Sequence, residues 1–286
     1  MDKINHYNKK VLTLLSYYLN DHACAITTSQ VKKVAACGVD EAKAFELLLL
    51  SYLNIEDKEF IDLYFKDKIH LLDEKDYLYN PYYQNISFLN KKLGAWEIKK
   101  SKYRPYELFV CDDFHYNGNQ IIPQLGFFNK PFYYLAVYFQ KRLWMSITPN
   151  EMNTMKKPIE EANGNVLTFG LGLGYFAYMC SLKENVQKIT IVEKDENVVI
   201  LFKQFILPQF AFKEKIHIIL DDAYLFLNQK MKDNDYQYVF VDIYHDAGDG
   251  KETYLKFKPY EKRFPNTTFC YWIMDTIQYY LKEEAL

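Results

Sequence analysis

Several protein classes are excluded by what this sequence lacks. It contains no C-x-x-C pair, and an odd number of cysteines argues against a secreted disulfide framework; the five are Cys24, Cys37, Cys111, Cys180 and Cys270. A formal net charge of −2 creates no field that would attract a phosphate backbone, so we expect no nucleic-acid partner. The first ten residues, MDKINHYNKK, contain no apolar signal-peptide core, and we therefore expect a cytoplasmic location.

Charge is also absent from residues 162–182, a stretch of 21 residues that is long enough to span a membrane. Only ten glycines occur in the chain, yet four of them, Gly164, Gly170, Gly172 and Gly174, fall within this stretch. Because glycines at this density interrupt a continuous helix, we predict a strand, a loop and a helix here. We therefore expect no membrane partner.

What is present is typical of a globular chain. Of the 286 residues, 49% are apolar and 25% are charged, and this length suits one large domain or two smaller ones. The pattern predicts three segments: an α-helical accessory domain at 1–92, a short β-rich connecting segment at 93–148, and an α/β domain at 149–286.

The N-terminal segment has helical periodicity, with one apolar stripe that includes Ala44, Leu47 and Tyr52. Residues 29–54 also have the length and the central turn of a helix-turn-helix. The second helix, however, begins EAKAFELLLL and offers little to phosphates or base edges. We favour a packed accessory domain, with DNA reading as the alternative.

Strands and helices alternate in the C-terminal segment. Apolar runs predict five strands, at 166–169, 188–192, 215–220, 238–243 and 268–273. Helices are predicted after them, near 173–183, 196–206, 222–231, 251–263 and 275–284. This alternation implies right-handed crossovers and a Rossmann-like, doubly wound parallel sheet. A further helix is predicted from Thr148 to about Ala162, with a Thr148–Glu151 capping box. If the chain packs directly, residues 145–151 lie beside the loop that follows the first strand and contact its ligand; the alternative is that their polar side chains serve only the helix start.

The strongest motif follows the first of these strands, where residues 166–176 read VLTFGLGLGYF. The strand runs directly into Gly170, Gly172 and Gly174 and then into a helix. Glycine is required where the chain turns sharply and a ligand approaches the backbone, and the N–H groups at the helix start favour an anion. Ligands of open α/β sheets bind at the carboxyl ends of the strands, which is where this loop lies.

Acidic residues end the next three strands. Glu193 follows the second strand, Asp221 and Asp222 follow the third, and Asp242 follows the fourth. The carboxyl ends of parallel strands lie at one edge of a sheet, so we expect these acids to form one site with the glycine loop. The alternative for any one of them is an ordinary loop or helix-cap acid.

This order of motifs resembles the class I S-adenosylmethionine-dependent methyltransferases, and it is especially similar to their spermidine-synthase-like branch. The resemblance covers 149–286 well and 95–148 loosely. It implies that Gly170, Gly172 and Gly174 line the methionine part of S-adenosylmethionine and that Glu193 holds the ribose hydroxyls. It also implies that Asp242 faces the reacting centre, and that the adenine lies by the run Asp221, Asp222 and Ala223.

Two departures bear on the reaction. Leu173 stands where spermidine synthases place an aspartate, which favours methyl transfer over aminopropyl transfer. Thr168 stands where many class I methyltransferases carry an acid. A dinucleotide site is a further alternative, because Gly172, Gly174 and Ala177 satisfy the G-x-G-x-x-A pattern.

Candidates for proton transfer lie in the segment DIYHDAGDG, which begins at Asp242. Asp242 is nearest the strand end, His245 carries the side chain whose ordinary pKa is near neutrality, and Tyr244 could orient a substrate. Asp246 is a further acid of the same segment. Gly248 and Gly250 predict a flexible loop that closes over a ligand, with a solvated turn as the alternative.

We therefore predict a methyltransferase that binds S-adenosylmethionine, acts on a small molecule and has no metal site. The alternatives are a spermidine-synthase-like aminopropyltransferase and a non-catalytic module that binds or senses S-adenosylmethionine. The chain ends soon after the fifth strand, so a second subunit could cover that edge, and a homodimer is left open.

Overall fold

The computed structural model describes residues 3–87 and 90–283. The chain forms two compact units: Met1–Tyr77 with Lys102–Tyr133, and Leu78–Ser101 with Tyr134–Leu286. The unit boundaries differ from the predicted ones after residues 92 and 148, because the β-rich segment contributes to both units. The division of the chain into three separate domains therefore stays a prediction.

The helices and strands of the described residues are numbered here in chain order. The helices are α1 Lys3–Asp21, α2 Thr28–Ala35, α3 Glu41–Tyr52, α4 Lys58–Tyr64, α5 Glu74–Leu78, α6 Pro81–Asn85, α7 Pro149–Thr154, α8 Lys156–Glu161, α9 Tyr175–Ser181, α10 Glu196–Leu201, α11 Ala223–Leu225, α12 Ala247–Arg263 and α13 Met274–Glu283. The strands are β1 Ile69–Leu71, β2 Lys91–Leu93, β3 Trp96–Tyr103, β4 Phe109–Val110, β5 His115–Asn117, β6 Gln120–Ile122, β7 Leu125–Phe127, β8 Phe132–Phe139, β9 Arg142–Ser146, β10 Gly164–Phe169, β11 Val186–Glu193, β12 Ile216–Leu220, β13 Tyr238–Val241 and β14 Thr268–Tyr271.

The first unit contains helices α1 to α4 together with two small sheets, one in the order β1-β7-β4 and one formed by β5 and β6. Its buried amide side chain at Asn8 is paired. The side-chain oxygen of Asn8 accepts hydrogen bonds from the Tyr64 hydroxyl at 2.7 Å and from the Ile121 N–H at 3.1 Å. Pairing of this kind removes the cost of burying an amide.

The predicted apolar stripe of α3 is wrong. The buried face includes Ala44, Phe45 and Leu49, whereas Leu47 and Tyr52 are 43% and 39% exposed. Four consecutive leucines place apolar side chains all around this helix, so periodicity alone cannot choose its buried face.

The second unit is built on a five-stranded parallel sheet in the order β12-β11-β10-β13-β14. The five predicted strands and the doubly wound, Rossmann-like topology are confirmed. The strand order reverses between β10 and β13, and the glycine loop after β10 therefore lies at the switch point where such sheets bind ligands.

Two helices of this unit differ from their predicted form. The helix expected from Thr148 to Ala162 is two short helices, α7 and α8, and the Thr148 side chain makes no capping hydrogen bond. Helix α12 begins at Ala247 because the Asp246 carboxylate accepts hydrogen bonds from the N–H groups of Gly248 and Asp249. The predicted flexible loop around Gly248 is therefore helical.

Most residues of a four-stranded sheet, in the order β2-β3-β8-β9, belong to this second unit. Strand β9 leads directly into α7, so it delivers side chains to the edge of the parallel sheet. Within the described residues, no helix combines the length and apolar character that crossing a membrane requires.

Candidate active site

The glycine loop follows β10 and is fixed against the end of β13. Gly170 has a φ of +98°, and a Cβ at this position would lie 2.1 Å from the backbone oxygen of Asp242. The Gly170 N–H donates to the Val192 oxygen at 3.0 Å, and the Asp242 N–H donates to the Phe169 oxygen at 3.0 Å. Glycine is therefore required here, because the loop lies directly against the neighbouring strand end.

The middle of the loop contacts a methionine from β9. The Leu173 N–H donates to the Met145 Sδ at 3.2 Å, and a Cβ on Gly172 would lie 2.3 Å from that sulfur. On the other side, the buried Tyr82 hydroxyl donates to the Leu173 carbonyl oxygen at 2.7 Å. The loop is thus held by side chains that lie far from it in the sequence.

Glu193 lies at the end of β11, beside this loop. Its carboxylate accepts hydrogen bonds from the N–H groups of Leu171 at 3.1 Å and Asp195 at 2.9 Å. Burial raises the pKa of Glu193 above its ordinary value, and backbone hydrogen bonds, Asp195 and Leu171 among the donors, partly oppose that shift. The loop and the acid therefore form one hydrogen-bonded edge.

Asp221 and Asp222 follow β12 and have different partners. Asp221 forms an ion pair with Lys230 at 2.7 Å. One oxygen of Asp222 caps α11 by accepting from the N–H groups of Tyr224 and Leu225 at 2.9 and 3.0 Å. The second carboxylate oxygen of Asp222 takes no part in these two hydrogen bonds. The Asp222 side chain lies at the edge of the site.

Two acids lie together near the switch point. Glu151, in the first turn of α7, is only 6% exposed. Burial raises its pKa well above the ordinary value, and the nearby Asp242 raises it further. Burial also raises the pKa of Asp242 to about 7. At neutral pH this pair retains a proton, because Glu151 is buried, Asp242 is largely removed from water, and the first charge disfavours the second.

The segment after β13 places its three remaining candidate residues differently. The Tyr244 hydroxyl donates to the carbonyl oxygen of Trp272. The His245 ring stacks on Trp144 with a centroid distance of 5.7 Å, and its buried Nδ1 has no hydrogen-bond partner among the described residues. Asp246 is exposed and caps α12.

One cavity of about 680 Å³ joins these parts, and all its lining residues belong to the second unit. The predicted residues that line it are Gly170, Gly172, Glu193, Asp221, Asp222, Ala223, Asp242, Tyr244 and His245. Gly174 and Asp246 are not among the lining residues; Gly174 begins α9 with a φ of +73°. The roles assigned to all these residues stay predictions.

Sequence reasoning missed several lining residues. All three tryptophans of the chain, Trp96, Trp144 and Trp272, line the cavity. Trp96 donates its indole N–H to Asp195 at 3.0 Å, and Trp272 donates to the Thr154 hydroxyl at 2.9 Å. Nothing in a single sequence brings tryptophans from three distant elements together.

For Glu151 the sequence predicts either a helix-start role or, with the rest of segment 145–151, a position beside the glycine loop; the structure places it in the lining of the cavity. The adjoining segment 145–151 supplies Met145, Ser146, Thr148 and Asn150 to the cavity as well. The position of this segment just before the first strand of the α/β domain is the sequence signal for that placement, and Met145 does contact the loop at Leu173. Among the described residues, no group of three or more His, Cys, Asp or Glu side chains could hold a metal ion.

Residues 152–264 match the family model of the spermine/spermidine synthase domain. This part of the chain is therefore similar to the spermine/spermidine synthase domain. The match begins in α7 and extends through α12, so it includes the glycine loop and the acids after β11, β12 and β13. The resemblance inferred from the sequence is thereby confirmed for these residues.

Two solved structures are similar to parts of the chain. A putative O-methyltransferase from Klebsiella pneumoniae aligns with 14% identity over 38% of this chain and 46% of its own, at a TM-score of 0.30. Spermidine synthase from Thermotoga maritima aligns with 12% identity over 42% of this chain and 44% of its own, at a TM-score of 0.33. This chain thus spans less than half of either structure, and no curated protein sequence matches it significantly.

Proposed function

We propose that the spermidine-synthase-like domain binds S-adenosylmethionine and transfers its methyl group to a small-molecule acceptor. The observation that carries this proposal is the convergence of Gly172, Glu193 and Asp222 on one cavity at the switch point of the sheet. Pockets of about 300–1,000 Å³ accept ligands of this size, and the cavity of about 680 Å³ falls in that range.

The residues present suit a nucleoside in one half of the cavity. A carboxylate after the second strand is the group that commonly accepts hydrogen bonds from ribose hydroxyls, and Glu193 is held in place by backbone donors. Asp222 and Ala223, after the third strand, would lie at the adenine. The residues needed to bind the ribose and the adenine are therefore all present in the domain.

The other half of the cavity suits the transfer step. When bound, the sulfonium supplies the alkyl group and a neutral leaving sulfur. The protein has to align an acceptor with it and exclude water. The tryptophans and Leu143 provide apolar walls, while Asp242, Glu151 and His245 are positioned to accept a proton from an amine or hydroxyl acceptor.

Aminopropyl transfer from decarboxylated S-adenosylmethionine is the second candidate. The family match favours it, because that domain is named for spermine and spermidine synthesis. Leu173 favours methyl transfer instead, since a fully buried leucine occupies the position where spermidine synthases have an acid. The acid pair beside the switch point suits an amine acceptor in either reaction.

Binding can be tested by isothermal titration and by tryptophan fluorescence. Because all three tryptophans line the cavity, a bound nucleoside should change the emission of the protein. We expect S-adenosylmethionine and S-adenosylhomocysteine to bind, and NAD to give neither heat nor a spectral change. If neither sulfur ligand binds, the proposal is wrong.

The transferred group can be identified from the nucleoside that remains. Methyl transfer leaves S-adenosylhomocysteine, and aminopropyl transfer leaves 5′-methylthioadenosine. We would incubate the protein with each donor and a deproteinised metabolite extract, and analyse the nucleosides by mass spectrometry. S-adenosylhomocysteine supports methyl transfer, methylthioadenosine supports the second candidate, and binding without either product supports a sensing module.

A further inference from the structure

Glu151 is a buried acid outside the residues of the family match. It lies in the first turn of α7, is 6% exposed and lines the same cavity as Asp242. Within residues 3–87 and 90–283, no ion pair or hydrogen bond reaches the carboxyl group of either residue. A buried carboxylate without a cation is strongly disfavoured, so at least one of these two acids is neutral in the free protein.

The surroundings supply little positive charge to this pair. Tyr175 is close enough to interact electrostatically with Glu151, and its hydroxyl accepts a hydrogen bond from Asn80. The other ionisable groups lining the cavity are Glu193, Lys194, Asp195, Asp221, Asp222, Tyr224, Tyr244 and His245. Lys194 is exposed, and the remaining carboxylates oppose a second charge on the pair. Glu151 is buried and Asp242 is only partly exposed, so Glu151 is the acid expected to keep its proton when Asp242 ionises.

The position of the pair relative to the ligand follows from the strand order. Glu193 ends β11 and Asp242 follows β13, and β10 lies between these strands. Neighbouring strands are about 4.8 Å apart, so the two residues lie roughly 10 Å from each other across the glycine loop. A nucleoside whose ribose is held at Glu193 would therefore direct its 5′-sulfur over the loop, toward Asp242 and Glu151, which line the same cavity.

From this arrangement we propose that Glu151 is a specificity-determining residue that distinguishes the sulfonium donor from the thioether product. In the free protein it holds a proton beside Asp242. When a sulfonium cation binds, Glu151 releases that proton to solvent, and two carboxylates then face one positive charge. After transfer the sulfur is neutral, and Glu151 takes a proton back from solvent.

This proton exchange favours release of the product from the site. Donor and product share the same nucleoside, so contacts at Glu193 and Asp222 cannot distinguish them. A pair of ionised acids interacts favourably with the sulfonium alone. The inference rests on the proposed function, because it requires that a sulfonium nucleoside occupies the cavity.

The test counts protons by isothermal titration at pH 8 in two buffers with different ionisation enthalpies. We would compare Glu151→Gln with Glu160→Gln, the same change on the exposed face of α8. With S-adenosylmethionine, the control should release about one more proton per site than Glu151→Gln. With S-adenosylhomocysteine, the two variants should agree. Ionisation of the ligand itself cancels in this comparison.

Infrared difference spectra of the wild-type protein provide a second measurement that needs no variant. The carbonyl band of a protonated carboxyl group should disappear when S-adenosylmethionine binds and persist when S-adenosylhomocysteine binds. Equal proton release by the two variants, or a band that both ligands leave unchanged, would overturn this inference and leave the proposed function intact. If neither ligand binds, both fail.

Discussion

Replacing Gly170 by alanine should destabilise the protein for two separable reasons. At a φ of +98° an L-residue is strained, at a cost of about 1–2 kcal/mol. The new Cβ would also lie 2.1 Å from the Asp242 backbone oxygen, and relieving such overlap in a packed region costs about 1–3 kcal/mol. We therefore expect a total loss of about 2–5 kcal/mol, a large part of the stability of an ordinary domain.

Gly38 provides a matched control. Its φ is +99°, but nothing lies within 4 Å of the position that a Cβ would occupy. Gly38→Ala should therefore lose only the backbone contribution of about 1–2 kcal/mol.

Urea denaturation followed by far-ultraviolet circular dichroism measures both variants, each against the wild-type transition of its own unit. The excess loss in Gly170→Ala isolates the contact with Asp242. Equal losses in the two variants would refute the placement of the loop against the end of β13.

Three further substitutions test the site. Glu193→Gln should weaken binding of S-adenosylmethionine by about 10- to 100-fold, since a hydrogen bond to a charged group contributes about 1.5–3 kcal/mol, whereas the exposed Glu196→Gln should change little in the same titration. The pKa of Asp242 rises from 3.8 to about 7, so the folded protein binds the extra proton and loses stability as pH rises between these values, by up to about 4 kcal/mol. Asp242→Asn should therefore melt higher than wild type at pH 8 and similarly at pH 4; an equal difference at both would contradict this. Tyr82→Phe removes the donor to the buried Leu173 carbonyl and should cost about 1–2 kcal/mol in urea unfolding, and no loss would refute that contact.

The parallel sheet could be predicted from the sequence because each strand is a short apolar run with a polar or glycine boundary. The acids after β11, β12 and β13 could be aligned for the same reason, since parallel strands end at one edge. Helix starts were less certain. The segment from Asp246 to Gly250 has the composition of a loop, and only the capping contacts of Asp246 show that α12 begins there.

The acceptor half of the cavity could not be predicted, because its residues come from elements far apart in the chain. Trp96 lies on β3, Trp144 on β9 and Trp272 after β14, and nothing in their local sequences links the three. Glu151 has the spacing of a capping residue, and its burial depends on how α7 packs against the sheet. Such placement depends on tertiary packing and cannot be predicted from the periodicity of the sequence.

A crystal structure of the protein with S-adenosylhomocysteine tests the central claim most directly. We predict electron density for one nucleoside in the cavity, with both ribose hydroxyls donating to Glu193 and the adenine beside Asp222 and Ala223. Density at another surface, or a nucleoside in this cavity that contacts neither acid, would contradict the account.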